Sequence, residues 1–578
     1  MKRKHRLVAV TAGISVVAAT ALTLSSLSGA SGAPGAAPAA VRSNARAKTT
    51  TPISHLVVIY GENVSFDHYF GTYPNAANTS GSKFTAAKGT PSINGLTGTL
   101  LTANPNGVNP QRLDPANVSD VLTCDQNHNY GPEQTAFDHG LMDKFPAAVG
   151  TATGVSPTGK ACAASDVMNY YDGNAVTGLW NYAQHFAMSD NSYGTTFGPS
   201  APGAINLVSG DTGGVDTSHS VRGALPVAPA TTSSDVAADG TGGYSLIGDA
   251  QPYYDDCSSR DAVALTGTNI GDRLNAAGLS WGWFEGGFSP SVAYTGPAST
   301  ASNYNQLTQS PRAVCGTTHD VGVAVGGTGQ YGTKADYIPH HESFEYYAST
   351  ANPHHLAPAS LSAIGVDTAT PGKFDTANHQ YDTSDFDNLV HAIGTGRLPG
   401  RDLPAVSFLK APGYEDGHAA YSDPLDEQRF VVKEINALEK LPTWSSTAVV
   451  IAYDDSDGFY DHAYSGVTNP SQTSADSLTG ANQCGTGTSY LGFEQGRCGY
   501  GPRLPLVAIS PFAKVNAVSH TLTDQSSVTK FIEDNWSLGE IPGSAANVAG
   551  SLNGLFNFAT KHPAPPLFLD PVSGKRTH

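Results

Sequence analysis

Charge is scarce in this chain: Asp, Glu, Lys and Arg together make up 14% of its 578 residues. After the N-terminal cluster Lys2, Arg3, Lys4 and Arg6 no basic stretch occurs, which removes the electrostatic footing that a nucleic-acid backbone requires. No Cys-x-x-Cys spacing is present, so a structural zinc cluster is not expected. Beyond Leu24 no apolar segment reaches membrane-spanning length, and no internal repeat is visible. What is abundant is Gly, Ser, Thr, Asn and Ala, the composition of a loop-rich extracellular protein. The formal charge is −18, and loss of the four N-terminal basic residues would take it to about −22, an acidity that favours solubility.

The six cysteines fit an oxidising compartment, where an even number can pair completely. Fifteen connectivities are formally open. Pairing between sequence neighbours is the expectation, strongest for Cys484 with Cys498 across a short Gly-rich loop. At the N-terminus, basic residues precede an apolar stretch from Leu7 to Leu24 and then a small-residue tail, the layout of a secretory signal peptide; a membrane-anchored start is the alternative. Cleavage is expected between Ala30 and Ala40, though not directly before Pro34. The chain thus divides into signal peptide and start of linker (1–40), linker (41–50), one large domain (51–562) and a Pro-rich, basic tail (563–578) expected to pack loosely.

Within the domain, Ile53 to Tyr60 reads as a buried parallel strand. Helical spacing covers Glu133 to Phe145 and Thr177 to Met188. The Asn269-Ile270-Gly271-Asp272 turn opens a helix followed by a strand at Ser280 to Phe284. Pro424 to Leu441 is a strong helix with Asp423 as cap, leading into a strand from Ser446 to Tyr453; another strand covers Leu504 to Ser510. This alternation predicts an α/β fold, a mostly parallel sheet with helices on both faces. Long loops are expected at 75–117, 210–256 and 465–500.

Two strand ends carry oxygen ligands. Glu62 and Asn63 follow the first strand, where open α/β sheets bind ligands, and Asp454 and Asp455 follow the strand ending at Tyr453. Four such side chains around one point are tolerable only with a neutralising cation. Two plainer readings exist: Asn63 as a helix cap, and Asp455-x-Asp457-Gly458 as a calcium loop, although full EF-hand spacing is missing. A third feature is Phe197-Gly198-Pro199-Ser200-Ala201-Pro202-Gly203, a tight turn that sets Ser200 near a helix start, where free N–H groups favour a phosphoryl oxyanion. On composition alone such a serine is a turn residue.

The string Gly61 to Gly71 resembles the opening motif of the bacterial phosphoesterase family, within the alkaline phosphatase superfamily, that holds secreted acid phosphatases and phosphatidylcholine-type phospholipases C. Five separated motifs follow the family's order over most of residues 52 to 540. The resemblance implies an alkaline-phosphatase-like fold with loop-rich insertions. It implies one divalent cation held by Glu62, Asn63, Ser200, Asp454 and Asp455, with Ser200, after Phe186-Ala187-Met188-Ser189-Asp190, as nucleophile. His340 and His341 match the histidine pair of the acid phosphatase branch; His418, after Phe408-Leu409-Lys410, and His128 match further pocket histidines. His354 and His355 lack a motif and read as structural. Phospholipase C members commonly continue the nucleophile turn with Pro-Asn-Arg, where this chain has Pro202-Gly203-Ala204. With no accessory domain evident, the expectation is a secreted acid-phosphatase-type phosphomonoesterase. Phospholipase C is the alternative, and a non-catalytic calcium-dependent binding protein a third reading. The expected partner is a phosphate-ester small molecule or phospholipid head group, with no nucleic acid and no stable membrane insertion.

Overall fold

Leu56-Val57-Val58-Ile59 lies in the strand β1 (His55–Gly61), with alternate side chains on opposite faces of a sheet. Val57 and Ile59 enter one apolar core, while Leu56, Val58 and Tyr60 enter a second. Burial on both sides explains why the strand is continuously apolar and not alternating. The computed structural model describes residues 48–577 except 152, 226–234, 298–300, 367–374, 481–482, 485–493 and 546–548. The expected signal peptide and most of the linker lie outside the described residues.

The main sheet adds β2 (Ala187–Ser189), β3 (Trp281–Glu285), β4 (Gln380–Asp382), β5 (Val406–Lys410), β6 (Thr447–Tyr453), β7 (Leu506–Ile509) and β8 (Ala517–Ser519), in the order β4-β3-β5-β1-β6-β7-β2-β8. Every neighbouring pair is parallel except β6–β7 and β7–β2, so β7 alone runs against the rest. The principal helices are α1 (Tyr130–Phe137), α2 (Thr177–His185), α3 (Ser200–Ser209), α4 (Ile270–Ala276), α5 (Thr383–Gly394), α6 (Pro424–Glu439) and α7 (Ser526–Trp536). Apolar residues of α2, α5 and α6 fill the core on the Val57 side, and those of α3, α4 and α7 fill the other. The expected α/β architecture with helices on both faces is therefore present.

Local chemistry sets the boundaries. Asp423 accepts from the N–H groups of Leu425 (2.8 Å) and Asp426 (3.0 Å), starting α6 where expected. Asn269 and Asp272 form a reciprocal capping box on α4. Two helices are shorter than their periodicity suggests. The segment expected to be helical through Met188 leaves the helix after His185, and Ala187 to Ser189 instead pair between β7 and β8. The expected Glu133–Phe145 helix stops at Phe137, because Asp138, His139 and Met142 take left-handed backbone angles.

The tail corrects its expectation outright. Ala564, Leu567 and Leu569 are buried. Asn436 of α6 accepts from Leu569 N–H (3.1 Å) and donates to its carbonyl (2.7 Å), pairing with the backbone as a strand would. Asn181 of α2 donates to the Gly574 carbonyl at 2.8 Å. A Pro-rich composition had suggested loose packing, but side-chain amides supply the partners that its backbone needs. The six cysteines pair between sequence neighbours, as expected: Cys124–Cys162, Cys257–Cys315 and Cys484–Cys498.

Candidate active site

Parallel pairing puts Gly61 of β1 level with Tyr453 of β6, so the residues beyond each strand emerge together. Asn63 turns the chain with φ 35°, a left-handed conformation that Asn tolerates better than most side chains. The capping alternative for Asn63 fails: the following short helix, Phe66–Phe70, is capped by Ser65, whose Oγ accepts from His68 N–H at 3.2 Å. Asn63 is thereby left to face the strand ends.

Ser200 is the first residue of α3 and is buried. Its hydroxyl lies 3.1 Å from Glu62 Oε2, 3.1 Å from Asp455 Oδ2 and 3.3 Å from Asn63 Oδ1. Gly203, one turn further on, packs so closely on Asp454 that a Cβ there would collide with the Asp454 carbonyl. The missing Cβ of Gly203 is thus what lets the serine turn approach the end of β6. The expected free amides are fewer than the turn suggested: Ala201 N–H is taken by the Asp249 carboxylate at 3.0 Å, and Pro202 has no N–H.

Asp454 Oδ1 accepts from Asp455 N–H (2.8 Å) and Asn63 N–H (3.3 Å). The Asn63 carboxamide oxygen faces only acceptors; turned over, the NH2 would donate to Ser200, Glu62 and Asp454, and the oxygen would accept from His418 Nε2 at 3.0 Å. The carboxylate, carboxamide and hydroxyl groups gathered here are the donor types that a hard cation takes.

Lys410, buried at the end of β5, was not singled out from the sequence. Its ammonium contacts Glu62 Oε1 and lies 3.4 Å from Asp454 Oδ2. A lysine closing an apolar strand beside two acid-bearing strand ends was the available signal. Glu133 of α1 was also missed: it accepts from Gly198 N–H (2.9 Å) and Ser456 Oγ (2.7 Å), tying the serine turn to the Asp455 loop. Nothing in its helical context marks it.

Electrostatics follow from this crowding. Burial, then repulsion from Asp454, raises the Glu62 pKa well above the usual carboxylate range. Burial also raises Asp455, with His128 opposing. For Asp454, burial is outweighed by Lys410 and by hydrogen bonds, and its pKa falls. Burial pushes Glu133 up to about 7.

Three of the four pocket histidines adjoin the oxygen cluster. His128 Nε2 lies 3.5 Å from the Asn63 amide nitrogen, and His341 Nε2 is 3.4 Å from Glu62 Oε1. His418 Nε2 faces Asn63, and its Nδ1 is held by the Ala419 carbonyl at 2.6 Å. His340 stands one step outward, packed on His341 with ring centroids 4.6 Å apart and with Nδ1 3.1 Å from Arg260. Burial works against a charged His128, but Asp455, Asp457 and Asp125 raise its pKa well above 6.5. Burial lowers His418 to about 4 and takes His340 and His341 well below their ordinary value.

The calcium-loop alternative disperses: Asp457 faces Gln126 N–H and His128, and Asp461 pairs with Arg503. Asp125, His128, His418 and Asp457 also gather closely: His128 Nδ1 lies 2.9 Å from the Gln126 carbonyl and 3.1 Å from Asp457 Oδ1, and His418 Nδ1 lies 2.6 Å from the Ala419 carbonyl. His354 and His355 engage Asp256 (2.9 Å) and Asp255 (2.8 Å), in keeping with a structural role.

Comparison with known proteins places these motifs in a wider setting. The chain is 24% identical over 550 residues to the non-hemolytic phospholipase C of Burkholderia pseudomallei, covering 92% of this chain and 63% of that protein. It is 23% identical over 537 residues to the hemolytic phospholipase C of Pseudomonas aeruginosa, covering 90% and 58%. A shorter match, 33% over 130 residues and 22% of each protein, is to the non-specific phospholipase C1 of Arabidopsis thaliana. The chain therefore spans about three-fifths of the length of the two bacterial relatives. A profile of the Phosphoesterase family matches residues 53–539, from the first strand through the last principal helix, and the chain belongs to that family.

Proposed function

We propose that the chain hydrolyses phosphate esters through a phosphoserine at Ser200, acting chiefly on monoesters. One observation carries this reading: a buried serine hydroxyl at a helix start, 3.1–3.3 Å from three side-chain oxygens contributed by two strand ends. Glu62, Asn63, Asp454, Asp455 and Ser200 would hold one divalent cation. When bound, such an ion lowers the hydroxyl pKa and offsets charge on the phosphoryl oxygens.

Ser200 Oγ bonds to phosphorus as the ester P–O bond breaks; carboxylate oxygens of Glu62 and Asp455, each 3.1 Å away, are placed to accept its proton. The leaving alkoxide takes a proton from a pocket histidine and departs as the alcohol. His128, whose pKa the neighbouring carboxylates raise, suits that role, while His341 and His418, whose pKa burial lowers, suit activation of the water that then hydrolyses the phosphoserine. Phospholipase C activity is the second reading, favoured by the names of the relatives. Export of the chain belongs to the same proposal and is supported by three disulfides.

Hydrolysis of p-nitrophenyl phosphate and p-nitrophenylphosphorylcholine, with and without chelator, tests the proposal. Metal-dependent turnover of the monoester should fall by about three orders of magnitude or more in Ser200→Ala. Preference for the choline ester would establish the second reading. A folded protein inactive toward both would leave a non-catalytic binding protein.

A further inference from the structure

Glu427 lies in the first turn of α6 and is buried, yet among the described residues no cation pairs with it. Its two carboxyl oxygens take two phenols instead. Tyr69, on the short helix after Asn63, donates to Oε2 at 2.8 Å, and Tyr453, the last residue of β6, donates to Oε1. The two rings meet edge to face, with 82° between planes and 6.1 Å between centroids. A carboxyl buried without a cation costs stability. What it supplies here is a fixed place for both rings.

Tyr453 is the piece that reaches the oxygen cluster. It precedes Asp454, and its ring packs so closely on Gly61, the residue before Glu62, that a Cβ on Gly61 would lie 2.5 Å from a ring carbon. The ring of one strand end therefore rests on the other. Glu427 also backs a third segment of the site. Gly417, with φ 101°, sits where a Cβ would come 3.2 Å from the Glu427 carboxyl and 3.3 Å from the Glu62 carbonyl. Its neighbours are His418 and Asp416, whose carbonyl accepts from Glu62 N–H at 3.1 Å. One helix residue thus stands behind the segments that bear Glu62, Asp454 and His418.

On the phosphoester-hydrolase reading above, with one divalent cation among Glu62, Asn63, Asp454, Asp455 and Ser200, we infer that Glu427 is a positioning residue for that centre. By holding the Tyr453 hydroxyl it fixes Glu62 against Asp454, so the affinity for the cation depends on a helix residue whose own hydrogen bonds go to tyrosines. Groups that hold a metal's ligands from behind alter its affinity by about ten- to a hundredfold when removed. Loss of the Tyr453 hydroxyl alone belongs at the lower end, since the ring stays on Gly61.

Mn2+ is titrated calorimetrically into the full chain and into Tyr453→Phe, Glu427→Ala and the double variant. Each single change should weaken Mn2+ binding by about tenfold or more. The double variant should bind no more weakly than the worse single one, because both changes remove the same contact. Asn436→Ala, which takes two hydrogen bonds from a different stretch of α6, controls for lost stability and should keep the parent's affinity. Should Glu427→Ala fail to fold, Tyr453→Phe against Asn436→Ala decides. Unchanged affinity in Tyr453→Phe, additive losses in the double variant, or an equal loss in Asn436→Ala would overturn the inference. Turnover of p-nitrophenyl phosphate by the parent separates the two levels. Absent Mn2+ binding overturns both, and Mn2+ binding without turnover defeats the hydrolase reading alone. Turnover, with Tyr453→Phe at the parent's affinity, defeats the positioning role alone.

Discussion

The same two loops build two buried acid clusters, and they are balanced differently. Asp67 and Asp461 meet Arg503, which donates to Asp461 at 2.8 Å, to Asp67 at 3.1 Å and to the Asn94 and Asp190 carbonyls at 2.8 and 2.9 Å; His462 adds a contact to Asp67. Two carboxylates there face two cationic partners. A few residues earlier in each loop, Glu62 and Asp454 share the ammonium of Lys410 and Asp455 faces His128, so three carboxylates meet two cationic partners, with Asn63 and Ser200 adding oxygens. The first cluster is complete as built and locks the loops together. The second keeps an excess of oxygens that an added cation would balance. Structural and chemical acid clusters are told apart by whether the chain supplies their counter-charges.

The comparison is broken most severely from the structural side. Arg503→Met strands two buried carboxylates and should cost about 3–5 kcal/mol in denaturant unfolding, equally with and without divalent metal. Asp455→Asn should act in the opposite sense, raising the melting temperature of the metal-free chain while abolishing the further rise on metal addition. Equal metal responses in Asp455→Asn and its parent would remove the distinction between the clusters.

Glu133 sharpens it by pH. A carboxyl whose folded pKa is about 7, above its usual 4.5, binds protons more tightly when folded. Its stabilising effect is full below the unfolded pKa and is lost as pH rises through about 7. Glu133→Gln should therefore gain stability relative to the parent between pH 5 and 8, on the order of 2–3 kcal/mol. A pH-independent difference in urea unfolding would show that Glu133 does not titrate there. The smallest effect is expected at the docked tail: Asn436→Ala removes both bonds to Leu569 and should cost about 1–2 kcal/mol, with turnover unchanged.

The sequence made the strand ends legible because β1 and β6 are apolar runs that stop abruptly at acids, and a parallel sheet makes such ends converge. The cap of α6 and the Ser200 turn were legible for equally local reasons. What escaped depends on distant partners. Glu133 matters only because Gly198 and Ser456 come to it, and Asp249 only because it takes the Ala201 amide. Three-residue β2 was hidden inside a helical pattern that continues apolar to Met188, and only pairing with β7 and β8 decides its state. The tail looked loose because Asn436 and Asn181 lie far away in sequence.

The central position of β1 also fixes when the oxygen cluster can assemble. Its neighbours are β5 and β6, with Leu56 beside Val406 and Ala448. During synthesis the first strand therefore waits without either lateral partner while hundreds of residues are made, a strongly non-local topology of the slow-folding kind. Glu62 and Asn63 meet Asp454 and Asp455 only after most of the chain exists. A ribosome-bound or truncated product ending before Tyr453 carries the serine and its turn yet lacks Asp454 and Asp455, so the oxygen cluster assembles only with closure of the sheet.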